Sequence, residues 1–140
     1  MPRPSHFSID LDALTHNFKA LSRLAGSRRK MAVVKANAYG HDALACAQVL
    51  EASVDAFAVA VIEEAIELRD AGIAKPILVL QGPHSPDDLT AMTANSLWPA
   101  ISNHHQLTWL IVQTDKPDQV WLKIDTGMHR LGFDPNDVAD

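Results

Sequence analysis

Short apolar segments alternate with amphipathic segments along this chain of 140 residues. The apolar segments are rich in Val, Ile, Leu and Ala, a pattern that is typical of strands buried on both faces. A short strand signal in residues 6–11 comes first. We then predict strands over residues 30–38, 56–61, 75–82, 97–101 and 119–127.

The amphipathic segments between these strands carry apolar residues at helical spacing and have recognisable helix ends. Asp12 is the predicted N-cap of the first helix, and Gly26 ends that helix. Ser85 comes directly before Pro86 at another helix start, and Asn103 is the expected N-cap of a further helix. The predicted helices span residues 13–25, 41–52, 62–72, a segment after Ser85, residues 104–114, and a segment that begins within 133–140.

Strands that alternate with helices predict an α/β fold, in which helices cover parallel strands. A repeat of roughly 25–30 residues suits a (β/α) barrel or a doubly wound sheet. The early strands lack a glycine-rich phosphate turn, and polar residues lie at carboxyl ends of strands, which favours the barrel. We predict a partial (β/α)8 TIM-type barrel with about five parallel strands. Because a complete barrel has eight strands and about 250 residues, residues 1–140 are expected to be the N-terminal part of the barrel domain of a truncated chain.

Composition and charge exclude several classes of protein. With 47% hydrophobic and 21% charged residues, the chain can form a core. A formal net charge of −5 argues against a nucleic-acid partner, since phosphates require a basic surface. No apolar stretch approaches the ~20 residues that span a membrane, so no membrane partner is expected. Cys46 is the only cysteine, which fits a cytoplasmic location, and its helical surroundings predict a small buried residue.

Two lysines lie near the ends of predicted strands. Alternation along the strand puts Lys35 on the same side as Val33, and it directs Lys123 and Asp125 toward the barrel interior. A buried charge is costly unless it is paired or used. An inward lysine also loses its proton more easily, which suits Schiff-base chemistry with a carbonyl cofactor. The alternative is a lysine whose ammonium group passes the strand end into solvent.

Two segments, "AVVKANAYGH" (32–41) and "VWLKIDTGMHRLGF" (120–133), resemble the two signatures of the alanine racemase family, fold-type III enzymes that use pyridoxal 5′-phosphate (PLP). The similarity runs along the whole chain and includes "IDLDAL", "EEAIELRDAGI" and "KPILVLQG". It implies the N-terminal part of a PLP-binding barrel. It also implies an enzyme that racemises L-alanine and D-alanine through a PLP aldimine and supplies D-alanine for cell-wall peptidoglycan.

The resemblance implies roles for four residues. Lys35 holds PLP and acts as the base on the α-proton of D-alanine. Tyr39 hydrogen-bonds the cofactor phosphate. Arg130 lies beside the cofactor phenolic oxygen and the substrate carboxylate, where a permanently charged fork of donors suits the task. Lys123 matches a lysine that is often carbamylated in this family, and the resulting anion would orient Arg130.

Other polar residues receive less specific interpretations. Asp42 stands where relatives usually have a second glycine, and it is expected to cap a helix. His41 is either a site residue or a polar residue at a helix start, and His129 is at most a neighbour of the site. His104 and His105 are adjacent and point to different sides of a helix, so we predict no metal site. The tryptophans are expected in the core.

The family's second base is a tyrosine from a C-terminal β-domain of the partner subunit, and the resemblance implies that this domain lies beyond residue 140. We therefore expect a homodimer for the full-length enzyme, with alanine as its small-molecule substrate, and no racemisation by these 140 residues alone. The alternatives are a single-barrel PLP-binding regulatory protein without racemase activity and a non-functional remnant of a truncated gene. The segment "IDTGMHRLGF" favours the racemase, because the regulatory relatives lack a close copy of it.

Overall fold

Between residues 6 and 138, which the computed structural model describes, the sheet has five parallel strands in the order of the sequence. Each strand pairs with the next one along the chain. This arrangement confirms the predicted α/β fold, in which parallel strands are joined through helices. The strands are β1 (Met31–Val33), β2 (Ala56–Val59), β3 (Ile77–Val79), β4 (Leu97–Ile101) and β5 (Trp121–Leu122).

Helices precede β1 and follow each of the strands β1 to β4. The segment α2 after β1 is short and has an unusual backbone, which is described with the site below. The helix expected within residues 133–140 is a 3-10 helix, Pro135–Val138, and residues 139 and 140 lie outside the described residues. The helices are α1 (Leu11–Ala25), α2 (Lys35–Gly40), α3 (Ala43–Leu50), α4 (Ile62–Asp70), α5 (Pro86–Ala94) and α6 (His104–Val112).

Side-chain caps begin several of these helices. Ser85 caps α5 with Pro86 in the first turn, and Asn103 caps α6, so both predicted caps are confirmed. The cap of α1 is Asp10, whose carboxylate accepts a hydrogen bond from the Ala13 amide at 2.8 Å. The prediction of Asp12 as this cap was therefore wrong.

Two predicted strands differ from the structure. Residues 6–10 form no strand, since Asp10 already caps α1 and the chain enters that helix at Leu11. The strand predicted over residues 30–38 ends at Val33, because the backbone leaves the sheet and turns at Lys35.

The sheet separates two apolar layers. Partners in parallel register place their side chains on the same face of a sheet. Phe57 and its partner Ile77 belong to the larger core, which lies between the sheet and the helices. Ala58 and its partner Leu78 belong to a smaller cluster on the opposite face, which corresponds to the interior of the predicted barrel and is called the inner face.

Trp98 and Trp121 lie side by side, and Trp121 is less buried than predicted. Trp98 is half-buried and packs against the inner-face cluster, in agreement with the prediction. Its ring centroid lies 6.4 Å from that of Trp121. Trp121 belongs to β5 at the side of the sheet and is 44% exposed, so the prediction of a core position was wrong for this residue.

Replacing the cap of α1 tests the reassignment from Asp12 to Asp10. Asp10→Ala leaves the amide of Ala13 without its acceptor and should lower the free energy of unfolding by about 1 kcal/mol. Asp12→Ala is the matched control, because it removes the same charge from the same turn without removing the cap. Urea denaturation of both variants measures the difference, and an equal or larger loss for Asp12→Ala would contradict the assignment.

Candidate functional site

The carboxyl ends of the strands lie at one edge of the sheet, because all strand pairs are parallel. Lys35 follows β1 and Lys123 follows β5, so both lysines lie at this edge. Since β1 and β5 are four strand spacings apart in the sheet order, the two lysines are separated by about 19 Å along the sheet. Both lysines thus lie at the carboxyl end of the sheet, one at the first strand and the other at the last.

Lys35 begins α2, whose backbone is left-handed. Residues 36–39 have φ between 51° and 55° and ψ between 36° and 48°, values that define the left-handed helical region. This region costs most L-residues roughly 1–2 kcal/mol each, and Asn is one of the few exceptions. Here two alanines and a tyrosine adopt it beside Asn37. Such strain persists only where the surroundings determine it, and it concentrates at functional sites.

Hydrogen bonds at both ends hold this left-handed turn in place. The carbonyl oxygen of Val34 accepts from the Ala38 amide at 2.8 Å and closes the turn. The side-chain oxygen of Asn37 accepts from the Ala43 amide at 2.8 Å and joins the turn to the start of α3. Ala38 itself is 8% exposed and belongs to the core between sheet and helices. The turn is therefore fixed to both the sheet and α3.

The left-handed turn brings the amine of Lys35 to the ring of Tyr39. The Nζ atom lies 5.9 Å from the ring centroid, which is within the range of a cation–π contact. Lys35 is half-buried, whereas 64% of Tyr39 is exposed. A primary amine and a phenol thus lie side by side at the carboxyl edge of the sheet.

The residues that follow the turn have structural roles. The Asp42 carboxylate accepts from the Ala45 amide at 3.1 Å and caps α3, as predicted. Its φ of 67° lies in a region that glycine adopts freely, which explains why a glycine also suits this position. Cys46 is 4% exposed, and its thiol donates to the carbonyl oxygen of His41, so its predicted burial is confirmed. Burial, followed by the negative charge of Asp42, raises the pKa of this thiol.

The second signature segment forms a loop that returns to its own start. The Phe133 amide donates to the Lys123 carbonyl oxygen, and the Asp125 amide donates to the Phe133 carbonyl oxygen, both at 2.9 Å. Gly132 adopts a φ of 127°, and a Cβ atom at this position would lie 2.6 Å from the Asp125 nitrogen. Only glycine allows the two ends of the loop to approach so closely. The loop carries Arg130 with its side chain exposed.

Asp125 organises the middle of this loop. Its Oδ1 atom accepts from the amides of Gly127 and His129, each at 3.0 Å, and its Oδ2 atom lies 3.3 Å from Nδ1 of His129. The amide of His129, followed by that of Gly127, lowers the pKa of the carboxyl group, because these donors favour its charged form. The alternation pattern directed this carboxylate toward the barrel interior, whereas in the structure it binds its own loop.

Lys123 and Arg130 complete the predicted set of site residues. Lys123 is half-buried and Arg130 is exposed. Within residues 6–138, no hydrogen bond or ion pair joins either side chain to the other, to Lys35 or to Tyr39. The structure therefore brings Lys35 and Tyr39 together beside β1, and the other two residues follow β5 at the other end of the strand order.

The described part of the chain has no metal-ligand cluster and no membrane-spanning helix. Residues 6–138 contain no cluster of three or more His, Cys, Asp or Glu side chains that could hold a metal ion. The ring of His104 packs edge-on against Phe133, with 5.3 Å between the ring centroids. None of the helices described is long and apolar enough to cross a membrane.

Comparison with known proteins agrees with the two signature segments. Residues 9–140 match the family model described as alanine racemase, N-terminal domain. The chain belongs to the alanine racemase family. Curated alanine racemases from Xylella fastidiosa and Xanthomonas oryzae are 51% and 52% identical to it, over 99% and 96% of this chain and 38% and 37% of their own lengths. The chain thus spans little more than a third of these relatives.

Solved structures of alanine racemases share the fold. The biosynthetic alanine racemase from Pseudomonas aeruginosa superposes with a TM-score of 0.88 at 41% identity, over 94% of this chain and 37% of that one. The alanine racemase from Bacillus anthracis with bound L-Ala-P gives a TM-score of 0.79 at 31% identity, over 95% and 37% of the two chains. These matches confirm the alanine racemase barrel as the fold to which the five strands belong.

Glu64 contacts the lysine segment of this alanine racemase domain, and sequence analysis assigned it no role. Its Oε1 atom accepts from the Ala36 amide at 2.6 Å, and its Oε2 atom accepts from the Ala60 amide at 2.7 Å. Ala36 lies 28 positions away in the chain, so local sequence patterns give no signal for this contact. One sequence signal was available. Glu64 lies three residues after Val61, the N-cap of α4, which is the position of the glutamate in a capping box, and the apolar side chain of Val61 cannot cap the helix.

The depressed pKa of Asp125 predicts a pH dependence of the second loop. The carboxylate stabilises the folded loop above its unfolded pKa of about 3.9, and this contribution is lost as the pH falls through the lower folded pKa. The amide NMR signals of Gly127 and His129 should therefore titrate with a midpoint below about 3.9. His129→Ala is the control, since it keeps the backbone donor that contributes most. A midpoint at or above the unfolded value would contradict this account of the loop.

Proposed function

We propose that this chain supplies the lysine-bearing part of an alanine racemase that interconverts L-alanine and D-alanine. The observation that carries the proposal is the left-handed turn, which fixes the half-buried Lys35 amine beside the Tyr39 phenol. The relatives named alanine racemase support it, since they align with nearly the whole chain. The D-alanine would be formed in the cytoplasm and used for cell-wall peptidoglycan.

The residues of the turn fit PLP as the cofactor. A primary amine can hold an aldehyde cofactor covalently, and a neighbouring phenol can donate a hydrogen bond to a phosphate oxygen. We assign the first role to Lys35 and the second to Tyr39. When bound, PLP supplies an electron sink for the carbanion that is left when the α-proton is removed.

The other two predicted residues would bind and orient the substrate. Arg130 carries a charged guanidinium with a rigid fork of donors, which suits a carboxylate and a phenolic oxygen. Carbamylation would convert Lys123 from a cation to an anion. The anion would accept hydrogen bonds from Arg130 and hold its side chain toward the substrate. Lys35 follows the first strand of the sheet, whereas Lys123 and Arg130 follow the last one. The sheet must therefore curve, as the wall of a barrel does, to bring the three residues to one substrate.

Racemisation needs proton transfer on both faces of the substrate. Lys35, once free of the cofactor, takes the α-proton of D-alanine at Nζ on one face. Tyr39 is the only tyrosine in the chain, and it is assigned to the cofactor phosphate. Membership of the alanine racemase family implies a tyrosine of a C-terminal β-domain as the second base, and we propose that this tyrosine, from the partner subunit of a homodimer, supplies the proton on the other face. By the same argument, residues 1–140 alone should not racemise alanine at an enzymatic rate.

Chemical reduction tests the assignment of Lys35. Borohydride treatment of the full-length enzyme with PLP should fix the cofactor to the peptide Met31–Tyr39, as detected by mass spectrometry. Lys35→Ala should abolish the visible absorption band of the bound cofactor, because no other group of the turn is an amine. Lys19→Ala, which removes an exposed lysine of α1, is the control and should leave the band unchanged.

The outcomes of this experiment separate the candidate functions. Reduced cofactor on another lysine would refute the site. Cofactor on Lys35 without turnover of alanine would favour a single-barrel regulatory protein.

Arg130→Lys tests the substrate-binding role. The substitution keeps the charge but loses the bidentate fork, so kcat should fall on the order of 100-fold with little change in the free energy of unfolding. Lys123→Ala should cause part of this loss, roughly tenfold, because it releases Arg130. Arg23→Lys on the exposed face of α1 is the matched control. Wild-type kinetics in both site variants would show that these residues lie outside the site.

A further inference from the structure

The pairing of β1 with β2 stops at an unusual place. The last backbone hydrogen bond between these strands runs from the Val34 amide to the Ala58 carbonyl oxygen, at 2.9 Å. In a continuing parallel ladder, the Ala60 amide would next donate to the carbonyl oxygen of Val34. That oxygen accepts from Ala38 instead, because it closes the left-handed turn. The Ala60 amide therefore needs an acceptor from outside the ladder.

Glu64 supplies this acceptor and a second one. Its Oε2 atom accepts from the Ala60 amide at 2.7 Å, and its Oε1 atom accepts from the Ala36 amide at 2.6 Å. Ala36 is the residue directly after Lys35, and Ala60 directly follows β2. One carboxylate thus joins the backbone on the carboxyl side of Lys35 to the neighbouring strand, where direct pairing has ended.

The amides of Ala36 and Ala60 donate to different oxygens of the carboxylate, and the Val61 amide adds a longer contact of 3.4 Å to Oε2. A carboxylate accepts through both oxygens and donates through neither, and its negative charge strengthens both bonds. A glutamine has the same shape but only one oxygen, so its amide nitrogen would face one of the two backbone N–H groups. An aspartate is one methylene shorter. A glutamate is therefore the side chain that suits this position.

We propose that Glu64 is a positioning residue for Lys35: it holds the strained turn against β2 and so fixes where the amine meets the cofactor aldehyde and the substrate. The proposal rests on the proposed function, in that it takes Lys35 as the residue that binds PLP. Among residues 6–138, the Glu64 carboxylate accepts hydrogen bonds from backbone amides only, so it acts on Lys35 through the backbone.

Hydrogen exchange tests the contact independently of activity. Glu64→Gln in the full-length enzyme without added PLP should speed amide exchange at Ala36 or Ala60 at least tenfold. The Phe57 amide, which donates to Pro76 within the sheet, should exchange as in the wild type. Glu63→Gln is the matched control, because the neighbouring Glu63 is exposed and its substitution removes the same charge from the same helical turn. Unchanged exchange at both Ala36 and Ala60, or an equal increase at Phe57, would overturn the proposal.

The rate at which PLP is captured tests the consequence for Lys35. Mixing the enzyme with PLP and following the visible absorption should show capture at least tenfold slower in Glu64→Gln than in Glu63→Gln. Turnover should fall through kcat, with KM for alanine within about twofold of the wild type. Faster exchange without slower capture would make Glu64 a merely structural residue and overturn the proposal. If the wild-type enzyme does not bind PLP at Lys35, the proposed function is wrong, and so is the positioning role of Glu64. The exchange measurement still decides whether Glu64 holds the turn.

Discussion

The carbonyl oxygen of Val34 accepts from the turn that follows β1, and the Ala60 amide, which would reach this oxygen in a continued ladder, donates to Glu64 instead. Its bond to the Ala38 amide ends the strand beside Lys35 and starts a left-handed backbone that is costly for most L-residues. The amide of Ala60 loses its partner as a result. Glu64 compensates for that loss, and the position of the lysine depends on the compensation.

The register of β5 against β4 decides on which face of the sheet Lys123 lies. Trp121 is the partner of Ala100, which belongs to the inner-face cluster, so Lys123 two residues later continues on the inner face. A shift of one residue in β5 would turn this lysine toward the helices. The bonds from Lys123 to Ile101 and from Phe133 to Lys123 hold the register and join the second loop to it. Parallel pairing thus places the two signature segments at the same end of the sheet, and register sets the face on which Lys123 lies.

Sequence analysis predicted the order of strands and helices, the caps at Ser85 and Asn103, and the burial of Cys46, because each depends on local pattern. It failed where a distant group decides the local conformation. The predicted strand continues through "KANA" to residue 38, because nothing in these residues indicates a left-handed backbone, although Ala, Asn and Lys are uncommon in strands. The contact from Glu64 bridges 28 positions of the chain, and it joins helix α4 to the residue after Lys35. The pattern of residues 6–11 predicts a strand, but Asp10 caps α1 instead.

The residues after Lys35 can be explained one by one from the backbone they adopt. Ala36 donates its amide to Glu64, and its Cβ atom causes the crowding that makes a left-handed backbone costly. Asn37 belongs to the few residue types that tolerate this region, and its side chain also binds the start of α3. Ala38 is buried against the core, which leaves little space for a larger side chain. Tyr39 is exposed, and the turn aligns its ring with the lysine four positions earlier. Much of the motif around the lysine therefore serves to build the turn, and the reactive group itself is a single amine.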